Sequence, residues 1–294
     1  MKEKTPQRAT EAIITWSEFV QSTGIGSIKL LEKAAEAASK FNKAFSAESL
    51  FEIGRIADLH SEAETAMAKY EEALQIFCRI GDSLGEANCI RSLGGVADSR
   101  SDYETATAKY EEALQIYRRI GEPLGEANCI ASLGDVAQGR SDYETATAKY
   151  EEALQIYRRI GSQEGEANCF HGFGQISLFH SDYEQATERF NQALAIYRKI
   201  GSLRGEAGCL FNMGRLAFAQ KDQTTARSHF EQALALFEKI DNPLWLSKTH
   251  RKLAKLADDE TERTAHLELA HRFQERLATI DQMLLLEKEA KGED

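Results

Sequence analysis

The chain has 294 residues with 47 acidic and 36 basic side chains, a formal net charge of −11, and three prolines. That charge disfavours nucleic acid and anionic membranes as partners, because phosphate contacts need clustered Lys and Arg. Scarce proline beside plentiful Ala, Leu, Glu, Arg and Lys suits long helices, and no run of about 18 apolar residues offers a membrane span.

Residues 1–46 are expected to form a degenerate N-terminal capping hairpin, Pro6 to Val20 and Ile28 to Phe45. The opening MKEKTPQRATEAIITWSEFV lacks the unbroken apolar stretch of a signal peptide, so a cytoplasmic location is expected. From 47 to 240 the chain repeats itself at a period of 40. SDYETATAKYEEALQIYRRIG occurs unchanged from Ser101 and from Ser141, with related versions from Ser61, Ser181 and Lys221, so five copies follow one another.

Each copy reads as two helices. The first runs through GEANCIRSLGGVA from Gly85 and GEANCIASLGDVA from Gly125, with Cys, Ile, Leu, Val and Ala in one stripe. Pro123 fits its first turn, where a missing N–H does no harm. Gly94, Gly134, Gly174 and Gly214 fall mid-helix, where each costs about 1 kcal/mol relative to Ala unless a close helix crossing offsets it. The second helix is expected to open on a capping box, Ser101, Ser141 or Ser181 with Glu104, Glu144 or Glu184. It is expected to close at Gly81, Gly121, Gly161 or Gly201 in left-handed caps. Ala106, Tyr110, Ala113, Leu114 and Tyr117 give it an apolar stripe at spacings of three and four.

Four of the five cysteines, Cys89, Cys129, Cys169 and Cys209, recur every 40 residues, so they belong to the repeat; Cys78 is the fifth. One repeat thickness, roughly 10 Å, is beyond disulfide reach, and they read as small buried hydrophobes. Residues 241–294 read as a degenerate repeat and a C-terminal capping helix. Asn242 to Ala257 is a further first helix with Leu253 and Ala254 in place of Leu-Gly. From Thr261 onward, Ala270, Phe273, Leu277, Ile280 and Leu284 form a stripe. That stripe can seal the last repeat, or pair with a second copy to give a homodimer.

The positions Leu93, Gly94, Ala97, Ala106, Tyr110 and Ala113 recur as Leu133, Gly134, Ala137, Ala146, Tyr150 and Ala153. Phe173, Gly174, Ala186, Phe190 and Ala193 repeat them, as do Met213, Gly214, Ala217, Ala226, Phe230 and Ala233, and Ile53, Gly54, Ala57, Ala66, Tyr70 and Ala73. This pattern resembles the tetratricopeptide repeat (TPR). The common family repeat has 34 residues, and the lengthening around GEPLGE resembles the subgroup of kinesin light chain and Partner-of-Inscuteable-type adaptors. The family's usual tryptophan is replaced by Leu50, Ile90, Ile130, Phe170 and Leu210, and its terminal proline is absent. The resemblance implies an all-α fold, a right-handed superhelical solenoid of antiparallel helix hairpins whose first helices line a concave groove. It implies a non-enzymatic adaptor or scaffold that binds a protein or peptide segment there.

On the groove side Asn88, Asn128 and Asn168 form a ladder of amides able to donate to and accept from an extended peptide backbone; simple copying of the repeat would equally produce it. Arg91, His171, Gln175 and Arg215 share that side. Phe179, Phe211 and Phe218 are expected to project from it, as exposed aromatics of a binding surface do, whereas Phe170 and Phe173 take core positions. Asp58, Asp98 and Asp135 lie among Arg55, Arg91 and Arg215 with no groove lysine, which argues against the carboxylate clamp of related chaperone-binding modules. The seven histidines show no zinc spacing and no phosphate loop is present, so neither metal, cofactor nor catalysis is expected. Two other functions remain open: a regulator that senses a peptide or gates a separate effector protein, and a self-assembling scaffold.

Overall fold

The computed structural model describes residues 43–59 and 62–291, with side chains at 43–58 and 62–276. The expected hairpin up to residue 42 lies outside these residues, as do the side chains of Leu277, Ile280 and Leu284. The described residues form helices and no strand. Two compact units divide the chain, 1–142 and 143–294. The first holds α1 (Lys43–Leu59), α2 (Ala63–Ile80), α3 (Ser83–Ser99), α4 (Tyr103–Ile120) and α5 (Pro123–Gly139). The second holds α6 (Tyr143–Ile160), α7 (Gln163–Phe179), α8 (Tyr183–Ile200), α9 (Leu203–Ala219), α10 (Gln223–Lys239), α11 (Pro243–Ala254) and α12 (Glu260–Lys291). In the first unit α1 packs on α2 and α3 on α4, while α2 and α4 pack on the first helix of the following repeat. The second unit repeats this with α7 on α8, α9 on α10 and α11 on α12, bridged by α6 on α7, α8 on α9 and α10 on α11. This is the TPR-like arrangement of consecutive helical hairpins.

Local chemistry sets the helix limits. The second helices α2, α4, α6 and α8 end at left-handed glycines, Gly81, Gly121, Gly161 and Gly201, at φ between 70° and 75°, as expected; α10 is capped by Ile240, with Asp241 at φ 46°. In α4 Glu104 opens the first turn and Arg118 and Arg119 close the last, matching the helix dipole. The serine of the expected capping box, however, does not cap. Ser101, Ser141 and Ser181 stand at φ 62°, 63° and 61°, in the turn that closes the first helix. The capping passes to the next residue: Asp102, Asp182 and Asp222 accept from the amides of Thr105, Gln185 and Thr225 at 3.2, 3.1 and 3.0 Å. The turn takes the serine first, and a carboxylate at the N-terminus suits the dipole.

Aromatic rings seated on glycines determine how the helices meet. Within hairpins, a Cβ added to Gly54, Gly94, Gly174 or Gly214 would stand 2.8, 2.9, 2.6 or 2.7 Å from the ring of Tyr70, Tyr110, Phe190 or Phe230. Between repeats, a Cβ on Gly85, Gly125, Gly165 or Gly205 would stand 2.2–2.3 Å from Phe77, Tyr117, Tyr157 or Tyr197. The close crossing expected at the mid-helix glycines is therefore present where it is described. Ala47, Ala66, Ala73, Ala106 and Ala113 fill the remaining space with no exposure, and ion pairs Arg118–Glu126, Arg158–Glu166 and Arg198–Glu206 at 2.8–2.9 Å cross three of these junctions.

At the C-terminal end Trp245 takes the junction-glycine position and stacks on Phe237, centroids 5.4 Å apart. Arg227 of α10 donates to Glu262 and to the Leu256 carbonyl, and Arg276 of α12 is bidentate on Asp241 at 2.7 and 2.8 Å. Ala270 is buried and Phe273 stacks on His250, so the described part of the C-terminal stripe packs on α11.

The neighbouring glycines of α3 separate close contact from helix propensity. Gly94→Ala is expected to lose about 1–3 kcal/mol by overpacking Tyr110. Gly95→Ala, whose Cβ would meet only the Tyr110 hydroxyl at 3.6 Å, is expected to gain up to about 1 kcal/mol. Thermal melts of the two variants check this; equal shifts would remove the ring contact as the reason for Gly94.

Candidate functional site

Residues three and four apart share one side of a helix, so positions 88, 91 and 95 of α3 and 168, 171 and 175 of α7 each make a single face. In the first unit Asn88 is not a free amide: its Oδ1 accepts from the Tyr117 hydroxyl of α4 at 2.7 Å, while Nδ2 has no partner among the described residues. Arg91 is half-buried, and its Nε is buried with no hydrogen-bond partner among the described residues. Burial is the largest single influence and works against its charge, but Tyr117, Cys129 and Tyr110 together reverse it and hold the guanidinium pKa above its ordinary value. Asn128 stands half-buried at the same register of α5. Tyr70 and Tyr110 pair with Ser92 and Ser132, and burial, reinforced by Asp58 and Asp98 respectively, raises both phenols. Asp98 is itself raised by burial.

In the second unit Asn168 is held in the same way, accepting from the Tyr197 hydroxyl at 2.5 Å. His171, Asn212 and Arg215 form one network. Arg215 Nη1 donates to Asn212 Oδ1 at 2.9 Å, and Asn212 Nδ2 reaches both His171 Nε2 at 2.8 Å and the Gly208 carbonyl at 3.3 Å. Nε2 of His171 therefore accepts, and the ring is neutral. Burial first, then the charge of Arg215, pushes its pKa down to about 4 against the opposing Gly208 carbonyl. Gln175 is half-buried one turn further along α7.

The aromatic part of the expected surface divides. Phe179 and Phe218 are exposed, 62% and 45%, at the ends of α7 and α9. Phe179 lies on Tyr143, centroids 4.2 Å apart, and edge-on to His180, at the turn end of the helix. Phe211 does not project. It is 5% exposed between Phe230 and Trp245, at 5.4 and 5.2 Å, because the indole that replaces the junction glycine covers it. Asn212, the centre of the polar network, went unrecognised; the signal was the change from Ser92, Ser132 and Gly172 to an amide at that register.

The four repeating thiols are buried and free. Burial drives Cys89, Cys129 and Cys209 up to about 12, so they stay protonated. Among the described residues, no group of three or more His, Cys, Asp and Glu could hold a metal ion, and no helix is long and apolar enough to cross a membrane.

Residues 126–199 match the family model of the tetratricopeptide repeat. Solved structures share the fold beyond that segment. A Rap protein complexed with Competence and Sporulation Factor superposes with TM-score 0.76 at 14% identity, over 98% of this chain and 80% of that one. The Rap conjugation gene regulator of plasmid pLS20, in complex with the Phr* peptide, gives 0.72 at 17%, over 92% and 73%. BtubC (BKLC) from P. vanneervenii gives 0.57 at 21%, over 74% and 92%. No curated protein matches the sequence.

His250 is also depressed to about 4, by burial and then by His266, whose Nδ1 lies 3.0 Å from its own. The unfolded chain binds protons at these sites below about pH 6.5 and the folded chain only near 4, so stability is full above 6.5 and falls as pH drops toward 4. Melting temperature is expected to fall between pH 7 and pH 5. His171→Ala, with Ala131 already at that register of α5, should remove a share of the loss on the order of 1 kcal/mol. Parallel melts of both proteins at the two pH values check it; identical pH slopes would contradict a neutral His171.

Proposed function

We propose that this chain is a non-enzymatic protein- or peptide-binding scaffold, and that in each unit the first-helix face takes an extended segment of a partner. The carrying observation is the Arg91 Nε, buried with no acceptor among the described residues, beside an Asn88 whose carbonyl is held by Tyr117 and whose amide donor has no partner among them. A buried donor without an acceptor is costly; Nε lies on the buried side of the half-buried Arg91, and the rest of the guanidinium is what a carbonyl or carboxylate of a bound segment would meet. Asn128, Asn168, Gln175 and the His171–Asn212–Arg215 network extend the same register, with Phe179 and Phe218 as apolar contacts. The two Rap structures, whose descriptions name a bound factor and a bound peptide, support this reading. The repeats of 47–240 supply the binding faces, with 1–46 and 241–294 as caps. Four buried free thiols fit a reducing, cytoplasmic compartment.

The Rap conjugation gene regulator favours a second reading, in which peptide capture changes this chain's hold on a separate effector protein. Self-assembly through α12 is a third. Leu267, 49% exposed, lies in a cleft of about 620 Å3 between α11 and α12, flanked by Arg251, Lys255 and Arg263. A mass that rises with concentration and returns to the monomer in Leu267→Glu would support it.

Arg91→Ala is expected to leave stability unchanged or slightly higher, since Ala131 holds the same register, and to weaken partner capture by about tenfold or more. Asn88→Ala, which orphans the Tyr117 hydroxyl, is expected to lose about 1 kcal/mol of stability. The check is capture from the host by wild type and by each variant, with photo-crosslinkers at Gln175 and Glu152. A partner crosslinked equally from both positions, or held equally by Arg91→Ala, would contradict the reading.

A further inference from the structure

Repeat copies identical over 21 residues act as internal controls for a repeat that departs from them. In the first three, a lysine of the second helix is tied to a glutamate three residues on: Lys69–Glu72, Lys109–Glu112 and Lys149–Glu152, at 3.0–3.2 Å. In the fourth repeat both members change. Arg189 replaces the lysine and Gln192 the glutamate, and their contact is a neutral-acceptor hydrogen bond at 3.2 Å. The guanidinium is left without a carboxylate partner among the described residues. The residues that face it change too. Phe170 and Phe173 stand where α5 has Ile130 and Leu133, and Ser177 and Gln185, joined by a 3.0 Å hydrogen bond, stand where the third repeat has Ala137 and Thr145.

These substitutions converge on one cleft of about 460 Å3, with α7 as floor and α6 and α8 as walls. Arg189 lies 5.9 and 5.8 Å from the centroids of Phe170 and Phe173, and Arg158 lies 5.6 Å from Phe170. Arg158 is already neutralised by Glu166 at 2.9 Å, and Glu151, exposed on the α6 wall, forms no ion pair among the described residues. Arg189 is therefore the uncommitted cation of the cleft, held over apolar ring faces that keep its planar fork oriented. At 3.6 residues per turn, positions 170, 173 and 177 lie half a turn from 168, 171 and 175. The cleft thus opens on the opposite side of α7 from the first-helix face.

We infer that this cleft is a second docking site, for a partner's acidic peptide segment in which a carboxylate adjoins an apolar side chain. The carboxylate meets the Arg189 fork in bidentate geometry, and the apolar side chain lies on Phe170 and Phe173.

The test is fluorescence anisotropy of the full chain with end-blocked, fluorescein-tagged tetrapeptides alternating Glu with Leu, beside the same peptides with Gln for Glu. The Glu series is expected to bind about tenfold tighter than the Gln series. The double variant Arg189→Lys/Gln192→Glu rebuilds the pair that the first three repeats carry and so preserves the fold. It should erase that preference, and Phe173→Leu, the residue of α5, should weaken the Glu peptides. Arg91→Ala and Arg215→Ala should leave them unaffected, which keeps this site distinct from the first-helix face. Equal affinity for Glu and Gln peptides, unchanged binding by the double variant, or no binding at millimolar peptide would each overturn the inference.

Discussion

Helix spacing in this protein depends on an aromatic ring lying on bare backbone. In α2, α4 and α8 the second helix carries two such rings. One, such as Tyr110, rests on a glycine of its own hairpin; the other, such as Tyr117, rests on a glycine of the next. A glycine inside a helix costs about 1 kcal/mol against alanine, yet burying an aromatic side chain contributes roughly 1.5–3 kcal/mol, so the pairing is favourable and is repeated. Because the rings fix the approach of the backbones, they also fix which side of each first helix is left over for other uses.

That leftover side is polar and held in place from behind. Asn88 and Asn168 are oriented by tyrosine hydroxyls of the second helices, and Asn212 orients His171 and Arg215. These contacts come from the second helices and from neighbouring first-helix residues, so the polar side chains of the face are oriented before anything meets them.

Much of this was legible in the chain. The 40-residue period, the apolar stripes and the glycines marked the hairpins, their ends and their crossings, because all are short-range or strictly repeated. The capping serine was misread because Ser101 and Asp102 are adjacent and both cap well; the choice between them is made by the preceding helix, which needs a left-handed residue there. Phe211 shares its register with Arg91 and His171, and only Trp245, 34 residues later, decides that it is covered. The tyrosines behind Asn88 and Asn168 lie 29 residues away, a spacing that acquires meaning only once the chain is folded.

The junction between repeats has one more consequence. Tyr117 on Gly125 with Arg118–Glu126, and Tyr157 on Gly165 with Arg158–Glu166, are the same contacts displaced by 40 residues. Removing or inserting one such segment would join ends that already fit. The number of hairpins is therefore a quantity that recombination can change in whole steps without inventing a new interface, while a divergent copy such as the fourth carries its specialised surfaces along intact.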